Sequence, residues 1–122
     1  MQRVGELIPL ELLRLDYTKG SDNGVACLRS LRKLRCLTLN GTLITNTGLE
    51  DLGTLTELRE LFLSDTQITD AGLVHLKGLT SLRVLHVDGT QVTQSAVERL
   101  ARALPKCTIH FGSNGTYISP SM

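Results

Sequence analysis

Tryptophan is absent from this 122-residue chain, and only Tyr17, Phe62, Phe111 and Tyr117 carry aromatic rings. A core of large rings is therefore excluded, and burial has to come from aliphatic side chains packed layer on layer. Charge of one sign is also lacking: 13 Lys and Arg stand against 12 Asp and Glu, for a net charge of +1. That balance excludes the basic footprint of a nucleic-acid binder and strong long-range steering. No apolar run approaches the ~18 residues that would suggest a membrane-spanning helix. The opening MQRVGELIPLELLRL holds Glu6 and Pro9 and has no smooth apolar segment of the kind a secretory leader needs. Cysteine is limited to Cys27, Cys36 and Cys107, an odd number without metal-ligand spacing. Reduced thiols in a cytoplasmic setting are expected, with no disulfide framework. Catalytic signatures are missing as well: there is no G-x-S-x-G, P-loop, H-E-x-x-H or Cys-x-x-Cys. No enzymatic activity, cofactor or metal is expected.

What the chain does have is leucine with a constant period of 24 residues. One column reads Leu10, Leu34, Leu58, Leu82, the next Leu13, Leu37, Leu61, Leu85, and the third Leu15, Leu39, Leu63, Val87. A threonine column, Thr18, Thr42, Thr66, Thr90, follows each strand-like segment, and then Ser21, Thr45, Thr69, Thr93. Beyond these lie Val25, Leu49, Leu73, Val97 and Leu28, Leu52, Leu76, Leu100. Within the stretch Leu58 to Thr80 the alternating leucines predict a short strand. Leu73, Leu76 and Leu79 at three-residue spacing predict a helix over Ala71 to Leu79. A unit this short cannot bury its own apolar face, so the coils must stack on one another.

The segments LRCLTLNGTLI at Leu34 to Ile44, LRELFLSDTQI at Leu58 to Ile68 and LRVLHVDGTQV at Leu82 to Val92 resemble the leucine-rich repeat, L-x-x-L-x-L-x-x-N/T-x-I/L. TQITDAGLVHLKGLTSL, the third copy, is similar to the TxITDxGLxxLxxLxxL subtype of planctomycete and trypanosomatid proteins. The resemblance implies an α/β solenoid, a right-handed β-α superhelix with a parallel sheet on the concave face and short helices on the convex face. It covers nearly the whole chain and specifies architecture far more sharply than function.

In order along the chain, residues 1–8 fall in the columns of a helix from an earlier coil. Three explanations compete: a fragment of a longer array, a minimal cap, or an end covered by a partner. Repeats follow at 9–32, 33–56, 57–80 and 81–104, then a closing strand over 105–111. Together 1–111 form the repeat domain, and 112–122, rich in Ser, Gly and Asn, reads as a flexible C-terminal tail. In the first repeat Gly20 replaces the core residue of Ile44 and Ile68, and Tyr17 is expected to fill part of that space. The threonine column is expected to bond backbone groups at the turns, where buried hydroxyls without partners would be costly. Thr45, Asn46, Thr69 and Asp70 are candidate helix caps. Gly48 and Gly72 point either to a backbone angle that only glycine tolerates or to close packing.

Strand side chains alternate, so residues between the leucines face outward. The central outward column reads Arg14, Thr38, Phe62, His86, His110, flanked by Glu60 on one side and Asn40, Ser64 and Asp88 on the other. These nine residues are the candidate partner-binding surface, with Phe62 as an aromatic anchor and an isolated surface ring as the bland alternative. His86, His110 and Asp88 bring only two imidazoles together, which favours two solvated histidines over a metal site. Arg35, Arg59 and Arg83 form a column at the start of the strands, with Glu11, Glu57 and Glu60 placed to neutralise it. The expected function is non-enzymatic binding of a protein partner on the concave sheet, without nucleic acid or membrane. The alternatives are a substrate-recognition segment of a larger protein of the ubiquitin-ligase type and a fragment of a longer array. The chain is expected to be a monomer, or to associate through its uncapped N-terminal end.

Overall fold

The computed structural model describes residues 11–112 and, for backbone alone, Thr116–Ile118; the partial helix expected over 1–8 lies outside the described residues. Each coil contributes one short strand: β1 Leu12–Arg14, β2 Cys36–Thr38, β3 Glu60–Phe62 and β4 Val84–His86, with β5 Thr108–Phe111 closing the row. These five strands are parallel and pair in chain order. Their register follows the sequence period, placing Leu13 opposite Leu37, then Leu61, Leu85 and Ile109. From Leu37 to Ile109 this row is fully buried, while Leu13, at its beginning, is only partly so. One continuous aliphatic core runs from Val25 to Phe111, with Cys107 and Phe111 sealing its last layer.

Helices cover the opposite side: α1 Asp22–Ala26, α2 Asn46–Leu52, α3 Asp70–Leu73 and α4 Gln94–Ala103. The helix expected over Ala71 to Leu79 is shorter than its leucine spacing suggests. After α3 the chain tightens into a 3-10 turn, Val74–Leu76, and Leu79 is buried beyond it. A 3-10 turn follows α1 in the same way at Cys27–Ser30. Side chains three apart eclipse in a 3-10 turn, so Leu73 and Leu76 still reach the core without a full α-helix.

The threonine column, buried at Thr42 and Thr66, half-buried at Thr90 and exposed at Thr18, bonds in one way throughout. Thr18, Thr42, Thr66 and Thr90 each donate a hydroxyl hydrogen bond to the carbonyl three residues earlier, at 2.6 to 2.7 Å. Each turn is thus closed within its own coil.

A second ladder ties one coil to the next, and it revises the reading of Asn46 and Asp70 as helix caps. Asp22 accepts the Thr45 amide at 2.8 Å and the Thr45 hydroxyl at 2.6 Å. Asp70 accepts the same two groups of Thr93, at 2.6 and 2.8 Å. Asn46 takes the Thr69 amide on Oδ1 at 2.8 Å and donates from Nδ2 to the Thr69 hydroxyl at 2.7 Å. These side chains therefore clamp the following coil; true capping comes from Thr45 and Thr93, which accept from Thr47 and Ala96. The clamp also explains Gly48 and Gly72. A Cβ on Gly48 would lie 2.6 Å from Asp22 Oδ1, and one on Gly72 would collide with Asn46 and Leu49. Close approach, here by the preceding coil, accounts for both glycines. Because Asn46 shows that an amide fits the clamp, Asp70→Asn is expected to change stability by less than about 0.5 kcal/mol. Asp70→Ala removes both bonds to the exposed Thr93, whose donors then turn to water, and is expected to cost about 0.5–1.5 kcal/mol. Urea unfolding of the two variants side by side checks the contrast.

Two other expectations are corrected. Tyr17 does not fill the space at Gly20: it is 76% exposed, has a φ of 57° and lies against Gly41. The tail is not wholly without structure. Thr116–Ile118 forms β6, antiparallel to β5, with Ile109 opposite Ile118 and Phe111 opposite Thr116. The exposed edge of β5 offers unpaired backbone groups, Thr, Tyr and Ile are strand formers, and Gly112 at φ 80° permits the reversal.

Candidate partner-binding face

The sheet face turned away from the core carries the central column in the order expected. Register places Arg14 opposite Thr38, Thr38 opposite Phe62, Phe62 opposite His86, and His86 opposite His110. The strands are about 4.8 Å apart, close enough for flat side chains on adjacent strands to stack. They do so: the Phe62 and His86 rings have centroids 4.6 Å apart and planes 14° from parallel. The His86 and His110 rings follow at 4.2 Å and 5°. Phe62 is thus neither isolated nor fully exposed; it begins a three-ring stack whose members are all half-buried.

This arrangement alters the expectation of two solvated histidines. Burial, and next the neighbouring His110, push the His86 pKa below its ordinary value, against an opposing pull from Asp88. His86 is accordingly neutral at pH 7, and its Nδ1 lies 3.6 Å from Asp88 Oδ2. Near-parallel planes place the ring nitrogens of the two histidines in separate layers rather than aiming them at one point.

Among the other expected site residues, Arg14 and Glu60 are exposed, and Asn40, Ser64 and Asp88 are half-buried. Thr38 departs from expectation: it is 8% exposed, and its hydroxyl has no hydrogen-bond partner among the described residues. It lies below the contact surface because its short side chain sits between those of Arg14 and Phe62 in the column. Asn40 also has a structural task. Asp16 Oδ1 accepts the Asn40 amide at 2.9 Å, and Asn40 Oδ1 accepts the Ser64 amide at 2.8 Å. Sequence reasoning placed these residues at the surface and missed this ladder. Its signal was available in the polar column Asp16, Asn40, Ser64, Asp88 at the coil period.

The arginine column at the start of the strands is neutralised only in part. Arg35 meets Glu11 at 3.7 Å, while Glu57 pairs with Lys33 at 3.9 Å instead. Such exposed pairs contribute little. Arg59 and Arg83 form no ion pair among the described residues, and Cys36 donates weakly to Glu60 at 4.0 Å. The thiol at Cys36 is pushed up in pKa by burial and then by Glu60, and that at Cys107 is raised by burial to about 12. Neither is a thiolate at neutral pH, so neither supplies a nucleophile.

No protein-family model matches the sequence, and neither does any curated relative. Solved structures do match. Internalin C2 from Listeria monocytogenes superposes with a TM-score of 0.73 at 27% identity, over 88% of this chain and 43% of that one. Internalin F from the same organism gives 0.58 at 20% identity, over 93% of this chain and 37% of that one. The second actin-binding site of leiomodin-1 gives 0.67 at 13% identity, over 90% and 73%. The chain therefore spans less than half the length of the internalins it resembles. Its fold is a leucine-rich repeat solenoid. Among the described residues no helix is long and apolar enough to cross a membrane.

Proposed function

We propose that this chain is a non-enzymatic module that binds a partner protein on its concave sheet. The observation that carries this reading is the stack of Phe62, His86 and His110, half-exposed on the face opposite the helices. A ring already held between neighbours loses little freedom on binding, and aromatic residues are the usual anchors of interfaces. Arg14 and Glu60 supply exposed charge on either side of it, and Ser64 and Asp88 supply polar contacts beyond it. Thr38 lies beneath this surface, and Asn40, half-buried, holds the Ser64 amide beside it. The likeness to the actin-binding segment of leiomodin-1 is consistent with a solenoid of this size gripping another protein.

The finer subtype belongs to the same proposal. The clamps from Asp22 and Asn46 to the next coil's threonine, over Gly48 and Gly72, give the TxITDxG pattern a physical reason, and Asp70 clamps Thr93 in the same way beside Ala96. Three free thiols, one exposed, suit a reducing cytoplasmic setting.

The test is capture of binding proteins by the immobilised chain, compared with the double variant Phe62→Ala, His86→Ala. Loss of capture by at least tenfold is expected, with unchanged far-ultraviolet circular dichroism. A folded double variant that retains its partner would remove the concave face from the reading.

A further inference from the structure

The convex face carries a second feature, visible when successive grooves between the helices are compared. Between the first and second helical layers, Arg29 reaches across to Asp51 at 3.4 Å. Two periods later the same positions are Lys77 and Arg99. An attractive pair in the first groove has become two cations in the third. In the groove between them the positions are Gly53 and His75, with no space above Gly53, since a Cβ there would strike the His75 carbonyl. The third groove is instead open. Lys77 and Arg99 line a hollow of about 60 Å³, floored by Leu73, Val74, Ala96 and Leu100. Neither cation has an ion-pair partner among the described residues. The one carboxylate on the wall, Asp70, already accepts two hydrogen bonds from Thr93.

The size of the hollow limits what it can hold. About 60 Å³ is far below a small-molecule site of about 300–1,000 Å³. It suits the end of one side chain. The two cations select an anion, and the apolar floor, with Val74 53% exposed, selects an aliphatic neighbour for it. The geometry points to a second docking site, between α3 and α4, that takes an acidic side chain of a partner protein flanked by aliphatic residues. That carboxylate would lie between Lys77 and Arg99 and supply the negative charge that Asp51 supplies to Arg29 in the first groove. The site is independent of the ring stack on the opposite face.

The experiment is a nuclear magnetic resonance titration of the full ¹⁵N-labelled chain with the acetylated, amidated peptide GLELG. GLQLG and inorganic phosphate serve as separate arms. Shifts of the Leu73, Ala96 and Arg99 amides with an apparent Kd in the low-millimolar range are expected for GLELG. At equal concentration the shifts with GLQLG and with phosphate should be at least threefold smaller. Arg99→Glu, which places opposite charges across the groove again, should abolish the response without lowering the melting temperature. Equal shifts from GLELG and GLQLG, equal shifts from phosphate alone, no shift at about 10 mM, or an undiminished response in Arg99→Glu would each overturn the site.

Discussion

Leu61→Ala is expected to remove ~2–5 kcal/mol of stability, which for a chain of this size approaches the whole margin of folding. Leu61 is fully buried in the middle of the interior row, between Leu37 and Leu85. Truncation deprives both neighbours of contact at once. The cavity cannot collapse readily, because backbone hydrogen bonds hold the strands on each side. Leu39 donates to the Phe62 carbonyl at 2.8 Å and Leu63 to the His86 carbonyl at 2.7 Å. In a stacked array a weak layer also uncouples the coils on its two sides, since stability is carried by nearest-neighbour interfaces. Urea denaturation should show a lower midpoint, and thermal unfolding a drop of ~4–8 °C for each kcal/mol lost. Leu13→Ala, at the partly buried beginning of the row, should cost clearly less. A loss below about 1 kcal/mol at Leu61 would contradict its place as a close-packed core residue.

Gly53→Ala should also destabilise, by ~1–3 kcal/mol, although local propensity points the other way. Gly53 closes α2 with φ −63° and ψ −12°, a conformation any residue adopts, so alanine would normally be the better choice there. The obstacle comes from the next coil, whose His75 carbonyl oxygen occupies the position a Cβ would take. That atom belongs to the main chain and cannot swing aside, so the coils must separate, at the usual cost of overpacking. Gly24→Ala is the matched control. It lies within α1 with nothing within 4 Å of its Cβ position, and should gain about 0.5–1 kcal/mol. Substitutions of opposite sign at two helical glycines separate local preference from packing between coils. Equal and favourable changes at both would show that the Gly53 contact has no energetic consequence.

Much of the fold could be read from the chain because a solenoid converts sequence period directly into spatial register. Twenty-four residues separate Leu37 from Leu61 in the chain, and one strand spacing separates them in the sheet. The outward column from Arg14 to His110 follows by the same step. The helix after Asp70 was overestimated because three-residue leucine spacing fits an α-helix and a 3-10 turn alike. Asn46 and Asp70 looked like caps because capping residues and the clamp between coils use the same short polar side chains. Only the neighbour that lies within reach distinguishes them.

The sequence by itself determined the period, the identity of the buried row and the set of side chains that share each face. Periodicity acts along one dimension, and a solenoid repeats along one dimension. Tertiary structure alone decided which polar groups meet across coils, how the Phe62, His86 and His110 rings turn, and that Lys77 and Arg99 flank an open hollow. These outcomes depend on rotamers and on distances of a few ångströms between neighbouring coils, which residue spacing does not encode.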